Sequence, residues 1–138
     1  MADIRKVTDY FSVAPQIRES DIEEIAKAGF KTIVANRPDG EGGIDQPRMG
    51  SIRTRAEEHG LTFVALPFSG APTPEIIERM QSILAEAPMP VLAYCRTGTR
   101  SITLHALANT EELSADERIG RAQRAGYDLS SMRGRLGE

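Results

Sequence analysis

The chain has 138 residues, 40% of them apolar and 27% charged, the balance of a globular protein with room for one sizeable core. Lys and Arg number 17 against 20 Asp and Glu, a formal charge of -3 with no basic tail or like-charge run, which argues against nucleic acid or a membrane surface as partner. A single cysteine, Cys95, excludes an intramolecular disulfide, and without a disulfide framework the expected address is the cytoplasm. The first residues lack the apolar stretch of a secretory signal, and no run approaches the roughly 18 apolar residues of a spanning helix. No repeat, low-complexity tract or Gly/Ser linker divides the sequence, so one domain over residues 1–138 is expected.

In chain order, Tyr10 to Ala14 allow an N-terminal strand. Ser20 and Glu23 have the spacing of a capping box, and Ile22, Ile25 and Ala26 recur at helical period, which predicts a helix over 21–28 closed by Gly29. Thr32, Ile33 and Val34 read as a buried strand that feeds a Pro/Asp/Gly loop, Asn36 to Gly40. Met49, Ile52, Ala56 and His59 trace one face of a second helix ending at Gly60, and Leu61 to Leu66 follow as a strand. Thr73 as N-cap with Pro74 at the first helical position begins a third helix with a broad apolar face. Val91 to Tyr94 form another short apolar strand, and the chain turns through Cys95 to Arg100 into a nearly all-apolar helix over 101–108. Ser114 and Glu117 make a further capping box, and Leu129, Met132 and Leu136 suit a last short helix.

Strands alternating with helices imply βαβ units, so the expected class is α/β, a parallel sheet with helices on its faces and right-handed crossovers. Ligands bind beyond the carboxyl ends of strands in such sheets, which directs attention to the loops at 36–47, 67–72 and 95–100.

Cys95 stands at the third of these loops. A thiol becomes an effective nucleophile when a helix N-terminus, a ring of backbone N–H groups or nearby cations stabilise its thiolate. Cys95 leaves a strand, faces the amides of Arg96, Thr97, Gly98 and Thr99, precedes a helix, and has Arg96 and Arg100 nearby. Gly98 can adopt the positive φ that turns successive N–H groups into one concavity, Arg100 can lay a bidentate guanidinium on an oxyanion above the sulfur, and Ser101 can donate to the thiolate. The competing account is a buried core cysteine, against which the strand end, the glycine loop and the two arginines weigh together.

At these residues the sequence resembles a known family. Tyr94, Cys95, Arg96, Thr97, Gly98, Thr99, Arg100 and Ser101, with Asn36, Arg37, Pro38, Asp39, Gly40 and Glu41, are similar to the bacterial family called beta-lactamase hydrolase-like protein, protein-phosphatase-like domain, over nearly the whole chain. The resemblance implies a three-layer, protein-tyrosine-phosphatase-like α/β fold, with a central, mainly parallel sheet of four or five strands and the cysteine strand in its middle. It further implies occurrence alone or fused to persulfide dioxygenase or sulfide-oxidising modules, and both sulfurtransferase and phosphatase-like chemistry.

Two features divide those chemistries. Tyrosine phosphatases carry five residues between cysteine and arginine, whereas Cys95 and Arg100 enclose four, the spacing typical of rhodaneses, and a tighter cup suits a terminal sulfur better than a phosphoryl group. A phosphatase also needs an acid for its leaving group, and the loop Pro67, Phe68, Ser69, Gly70 has no Asp where dual-specificity enzymes place one; Tyr94 stands where they have a histidine. The expectation is therefore a sulfurtransferase: attack by Cys95 on the sulfane sulfur of thiosulfate or a low-molecular-weight persulfide, then transfer to a thiol acceptor with ping-pong kinetics. Arg100 and Arg96 would hold the anionic donor, with Arg37 and Asp39 as substrate-binding candidates. The alternatives are a phosphatase working through a cysteinyl-phosphate, with Asp39 or Asp45 as substitute acid, and a persulfide carrier for a dioxygenase or sulfide-oxidising partner.

Other signals are weaker. His59 near a helix end and His105 in an apolar helix read as packed or hydrogen-bonded histidines, and two histidines so far apart imply no metal. Asp39, Glu41 and Asp45 lack the calcium-loop spacing and read as a solvated loop. Gly40, Glu41, Gly42, Gly43 is no dinucleotide fingerprint, and without a Gly-Lys-Ser/Thr loop no nicotinamide, flavin or ATP is implied; no cofactor is expected.

Overall fold

The computed structural model describes residues 2–137. Five strands, β1 (Arg5–Thr8), β2 (Phe11–Ala14), β3 (Thr32–Ala35), β4 (Thr62–Ala65) and β5 (Val91–Tyr94), make one sheet in the order β1-β2-β5-β3-β4. All neighbours run parallel except β1, which pairs antiparallel with β2 at the edge. The strand that ends at Cys95 is therefore central, hydrogen-bonded to β2 on one side and β3 on the other.

Both faces of the sheet are covered, which is why β2, β3 and β5 are continuous runs of buried residues rather than alternating ones. Successive side chains still point to opposite faces: Val91 and Ala93 pack with Phe11, Val34, Met80, Ile102 and Leu104, whereas Leu92 and Tyr94 pack with Ala14, Ile25, Ile33 and Ile52. The first face is covered by α3 (Pro74–Glu86), α4 (Thr99–Ala108) and α5 (Ala115–Arg124); the second by α1 (Ile22–Lys27) and α2 (Met49–Glu58). No helix among the described residues is long and apolar enough to cross a membrane.

Helix ends follow their sequence signals in two cases. Thr73 accepts from the Ile76 N–H with Pro74 at the first position of α3, and Ser114 and Glu117 form a reciprocal capping box on α5. The expected Ser20–Glu23 box does not form. A 3-10 turn over Glu19–Asp21 begins earlier, and the Asp21 carboxylate accepts from the Arg18 N–H at 2.8 Å, so the acceptor at this end is an aspartate placed on the turn. The last element is likewise a 3-10 helix, Ser130–Leu136. Strand β1 was not anticipated: Arg5, Lys6, Val7 and Thr8 are exposed or half-buried on an edge and carry little hydrophobic signal.

Candidate active site

The carboxyl ends of β3, β4 and β5 bring three loops together, and Asn36 joins them. Its N–H donates to the Tyr94 carbonyl (2.9 Å), its side-chain amide to the Leu66 carbonyl (2.9 Å), and its Oδ1 accepts from the Ser101 hydroxyl (2.8 Å), while its own carbonyl accepts from the Phe68 N–H (3.2 Å). Asn36 and Ser101 are fully buried, so every hydrogen bond in this set forms away from water, where an unmade one would cost about 1–3 kcal/mol. Ser101 is thereby committed to Asn36 rather than to the Cys95 sulfur, which corrects the sequence-based role: one turn into the helix, its hydroxyl faces the β3 end.

Cys95 is a free, buried cysteine. Gly98 takes a left-handed conformation with φ of 95° and begins α4 as its N-cap, and its N–H donates to the Cys95 sulfur at 3.0 Å. The sulfur thus sits at the positive end of a ten-residue helix with one backbone N–H aimed at it. Thr97 and Thr99 bond to each other through their hydroxyls (3.0 Å), bracing the turn, and the Arg96 carbonyl accepts from the Gln16 N–H, tying the cup to the segment after β2. The Arg96 side chain is exposed at the rim.

Arg100 lies in the first turn of α4, with four residues between it and Cys95. A helix that starts right after a left-handed glycine sets where the guanidinium lies. The short loop keeps the cation within electrostatic range of the sulfur. Nη1 of Arg100 donates to the Phe68 carbonyl at 3.0 Å and to Glu41 Oε2 at 2.9 Å, and Nη2 donates to Glu41 Oε1 at 2.6 Å. The loop after β4, which has no Asp over Pro67 to Gly70, supplies a carbonyl that steadies the arginine.

Glu41 is the residue the sequence reading misjudged. Its Oε1 also accepts from Arg37 Nε at 3.0 Å, so one carboxylate bridges two guanidinium groups and is not a solvated loop charge. The Arg100 hydrogen bond, followed by that of Arg37, holds the Glu41 carboxyl below its ordinary value against the opposing effect of burial. Arg37 is 8% exposed and its Nη1 donates to Gln16 Oε1 at 3.3 Å, so it is a buried brace beneath the loop rather than a free arm for a substrate anion. Asp39 is exposed and accepts from the Met49 N–H (2.8 Å) at the start of α2, where a carboxylate complements the helix dipole. A signal for Glu41 was present in the Arg37-to-Glu41 spacing of four with glycine around it, and one for Asn36 in a polar residue closing an apolar strand.

The Tyr94 hydroxyl is buried without a hydrogen-bond partner, and burial above all pushes the phenol up, so it stays protonated. His105 stacks on Phe11 at 4.1 Å between ring centroids, and His59 ends α2 with Nδ1 3.0 Å from the Arg55 carbonyl. No group of three or more His, Cys, Asp or Glu side chains that could hold a metal ion is found among the described residues.

A cysteine at the end of the central strand, a glycine amide on its sulfur and an arginine in the first turn of the following helix define the class: a protein-tyrosine-phosphatase-like α/β fold. The structure of Tk-PTP shares it, with a TM-score of 0.74 at 18% identity over 97% of this chain and 85% of that one. Residues 3–112 match the model of the beta-lactamase hydrolase-like protein, phosphatase-like domain, and the chain belongs to that family. The beta-lactamase hydrolase-like protein of Agrobacterium fabrum is 33% identical over 85% of this chain, but the match covers 26% of that protein, so the chain spans about a quarter of the length of the curated relatives it matches. A candidate phosphatase of Neisseria meningitidis, solved by crystallography, superposes with a TM-score of 0.86 at 38% identity, covering 97% of this chain and 96% of the other.

Proposed function

We propose that the protein is a phosphatase-like hydrolase working through a Cys95 cysteinyl-phosphate. The carrying observation is that the Gly98 N–H lies on the Cys95 sulfur at the start of the helix whose first turn also carries Arg100. The family match and the phosphatase-like structural relatives support this reading over sulfur transfer, for which none of those relatives speaks. In the first step the Cys95 thiolate attacks phosphorus, an S–P bond forms, and the P–O bond to the leaving group breaks. Water then attacks phosphorus, the S–P bond breaks, and phosphate and the thiolate are released with one proton. Arg100 and the loop amides stabilise the charge on the equatorial oxygens in both steps.

The leaving group is the constraint. Glu41 is held ionised by two arginines and the loop after β4 offers a carbonyl, so neither supplies a proton. Substrates whose leaving group is already a stable anion, such as aryl phosphates or phosphoanhydrides, fit this site better than alkyl phosphates. The test is phosphate release from p-nitrophenyl phosphate by wild type and Cys95→Ser, beside intact mass spectrometry after incubation with thiosulfate. Cys95-dependent phosphate release supports the proposal. A gain of one sulfur on Cys95 without phosphate release overturns it in favour of sulfur transfer.

A further inference from the structure

Tyr127 lies beyond the family-matched residues 3–112, in the segment after α5, yet its phenol reaches the sulfur cup. Its hydroxyl donates to the Thr97 carbonyl at 2.9 Å. The same hydroxyl stands so close to Gly98 that a Cβ built there would collide with it and lie 2.9 Å from the ring carbon bearing it. The phenol therefore roofs the glycine whose N–H is on the Cys95 sulfur.

The Thr97 carbonyl and the Gly98 N–H belong to one peptide unit, and in a trans peptide the two point in opposite directions. That unit is pinned at both ends: its carbonyl outward by Tyr127 at 2.9 Å, its N–H inward on the sulfur at 3.0 Å. Glycine at this position makes a flip of the peptide sterically easy, since both signs of φ are open to it. A flipped unit would turn a carbonyl toward Cys95 and replace attraction for a thiolate with repulsion. Burial, the first cause, pushes the Tyr127 phenol up, with the nearby Arg5 opposing, so the hydroxyl remains a donor at neutral pH.

The tyrosine is itself anchored. Its N–H donates to the Ala122 carbonyl at the end of α5, and Arg5 on the edge strand donates to the Ala125 carbonyl at 3.3 Å. We infer that Tyr127 is a positioning residue for the Cys95 cup, locking the Thr97–Gly98 peptide with its N–H on the sulfur. This places the start of the cysteine's helix under the control of the C-terminal segment. The inference rests on Cys95 being the reactive group, as proposed above, but not on which substrate it attacks.

The test is the rate of Cys95 alkylation by iodoacetamide as a function of pH, read by mass spectrometry in wild type and Tyr127→Phe. The phenylalanine keeps the ring over Gly98 and removes the one hydrogen bond. Thermal melting of both proteins establishes that the variant is folded, and Tyr127→Leu serves as a second variant without the hydroxyl. Expected is an alkylation profile displaced to higher pH, with a rate about three- to tenfold lower at pH 6 than in wild type and the two converging in alkaline solution. Coincident profiles in the folded variants would overturn the inference. Because alkylation reads the sulfur and not phosphate release, a displaced profile in a protein that fails to hydrolyse p-nitrophenyl phosphate would sink the hydrolase reading and leave the role of Tyr127 standing.

Discussion

The two ends of α4 solve opposite problems. At its start, Gly98, Arg100 and Ser101 arrange an N–H, a cation and a hydroxyl around Cys95 and Asn36, and every one of these groups is engaged. Near its other end, His105 stacks on Phe11 beside an open groove of about 470 Å³ lined by Tyr10, Phe11, Leu84 and Met89, with no cup and no convergent hydrogen bonds. An open groove thus stands at the end where no groups converge on one atom. Volume follows from how side chains of α3, α4 and β2 leave space, whereas reactivity follows from which backbone and charged groups converge on one atom, and the second need not leave space until a ligand arrives.

The sharpest way to break this contrast is at Arg100. Arg100→Ala should lower kcat/KM for p-nitrophenyl phosphate by about 10²–10³-fold, the usual cost of losing a charged stabiliser of a developing oxyanion. Unchanged turnover would place the anion site elsewhere.

At the opposite end, burial above all, assisted by the charge of Arg121, lowers the His105 pKa to about 4, with Glu111 opposing. The unfolded chain takes up this proton first as pH falls below 6.5, so stability declines between about 6.5 and 4, by on the order of 2–3 kcal/mol. Urea denaturation of wild type should show that decline and His105→Gln should flatten it; parallel slopes in the two proteins would refute the assignment.

Ser101→Ala removes one partner of the buried Asn36 amide and should destabilise by about 1–2 kcal/mol in the same urea experiment. The smallest effect belongs to Glu41. Its folded value is lowered, so its contribution to stability is present above the ordinary carboxyl value of 4.5 and is lost as pH falls through the folded one. Because Glu41 is 30% exposed, the difference between wild type and Glu41→Gln should be no more than about 1 kcal/mol at pH 7 and should vanish in strong acid. A gap that widens toward low pH would contradict the bridging role.

Much of the fold was legible because its elements announce themselves over short distances. Val91 to Tyr94 is an unbroken apolar run, Thr73-Pro74 and Ser114 to Glu117 are local capping signals, and Gly98 marks a turn that only positive φ completes. The cup at Cys95 is equally local, since Cys95, Gly98 and Arg100 lie within six residues. The rest depends on partners remote in sequence. Ser101 chooses between the sulfur and Asn36 only once β3 lies beside β5, and Glu41 becomes a bridge only when the loop after β3 folds over α4. The residue count between Cys95 and Arg100 has the same dependence, since the guanidinium's place is set by where α4 starts and by Glu41 and Phe68.

Strand β5 lies in the centre of the sheet, hydrogen-bonded on both sides, and its residues are all buried. Amide exchange in such a strand proceeds through global opening, whereas the loops around Cys95 are drawn from the range of cheaper, local fluctuations. The Cys95 sulfur is thus carried by the strand that exchanges most slowly, so its place against the sheet is lost only when the whole fold opens.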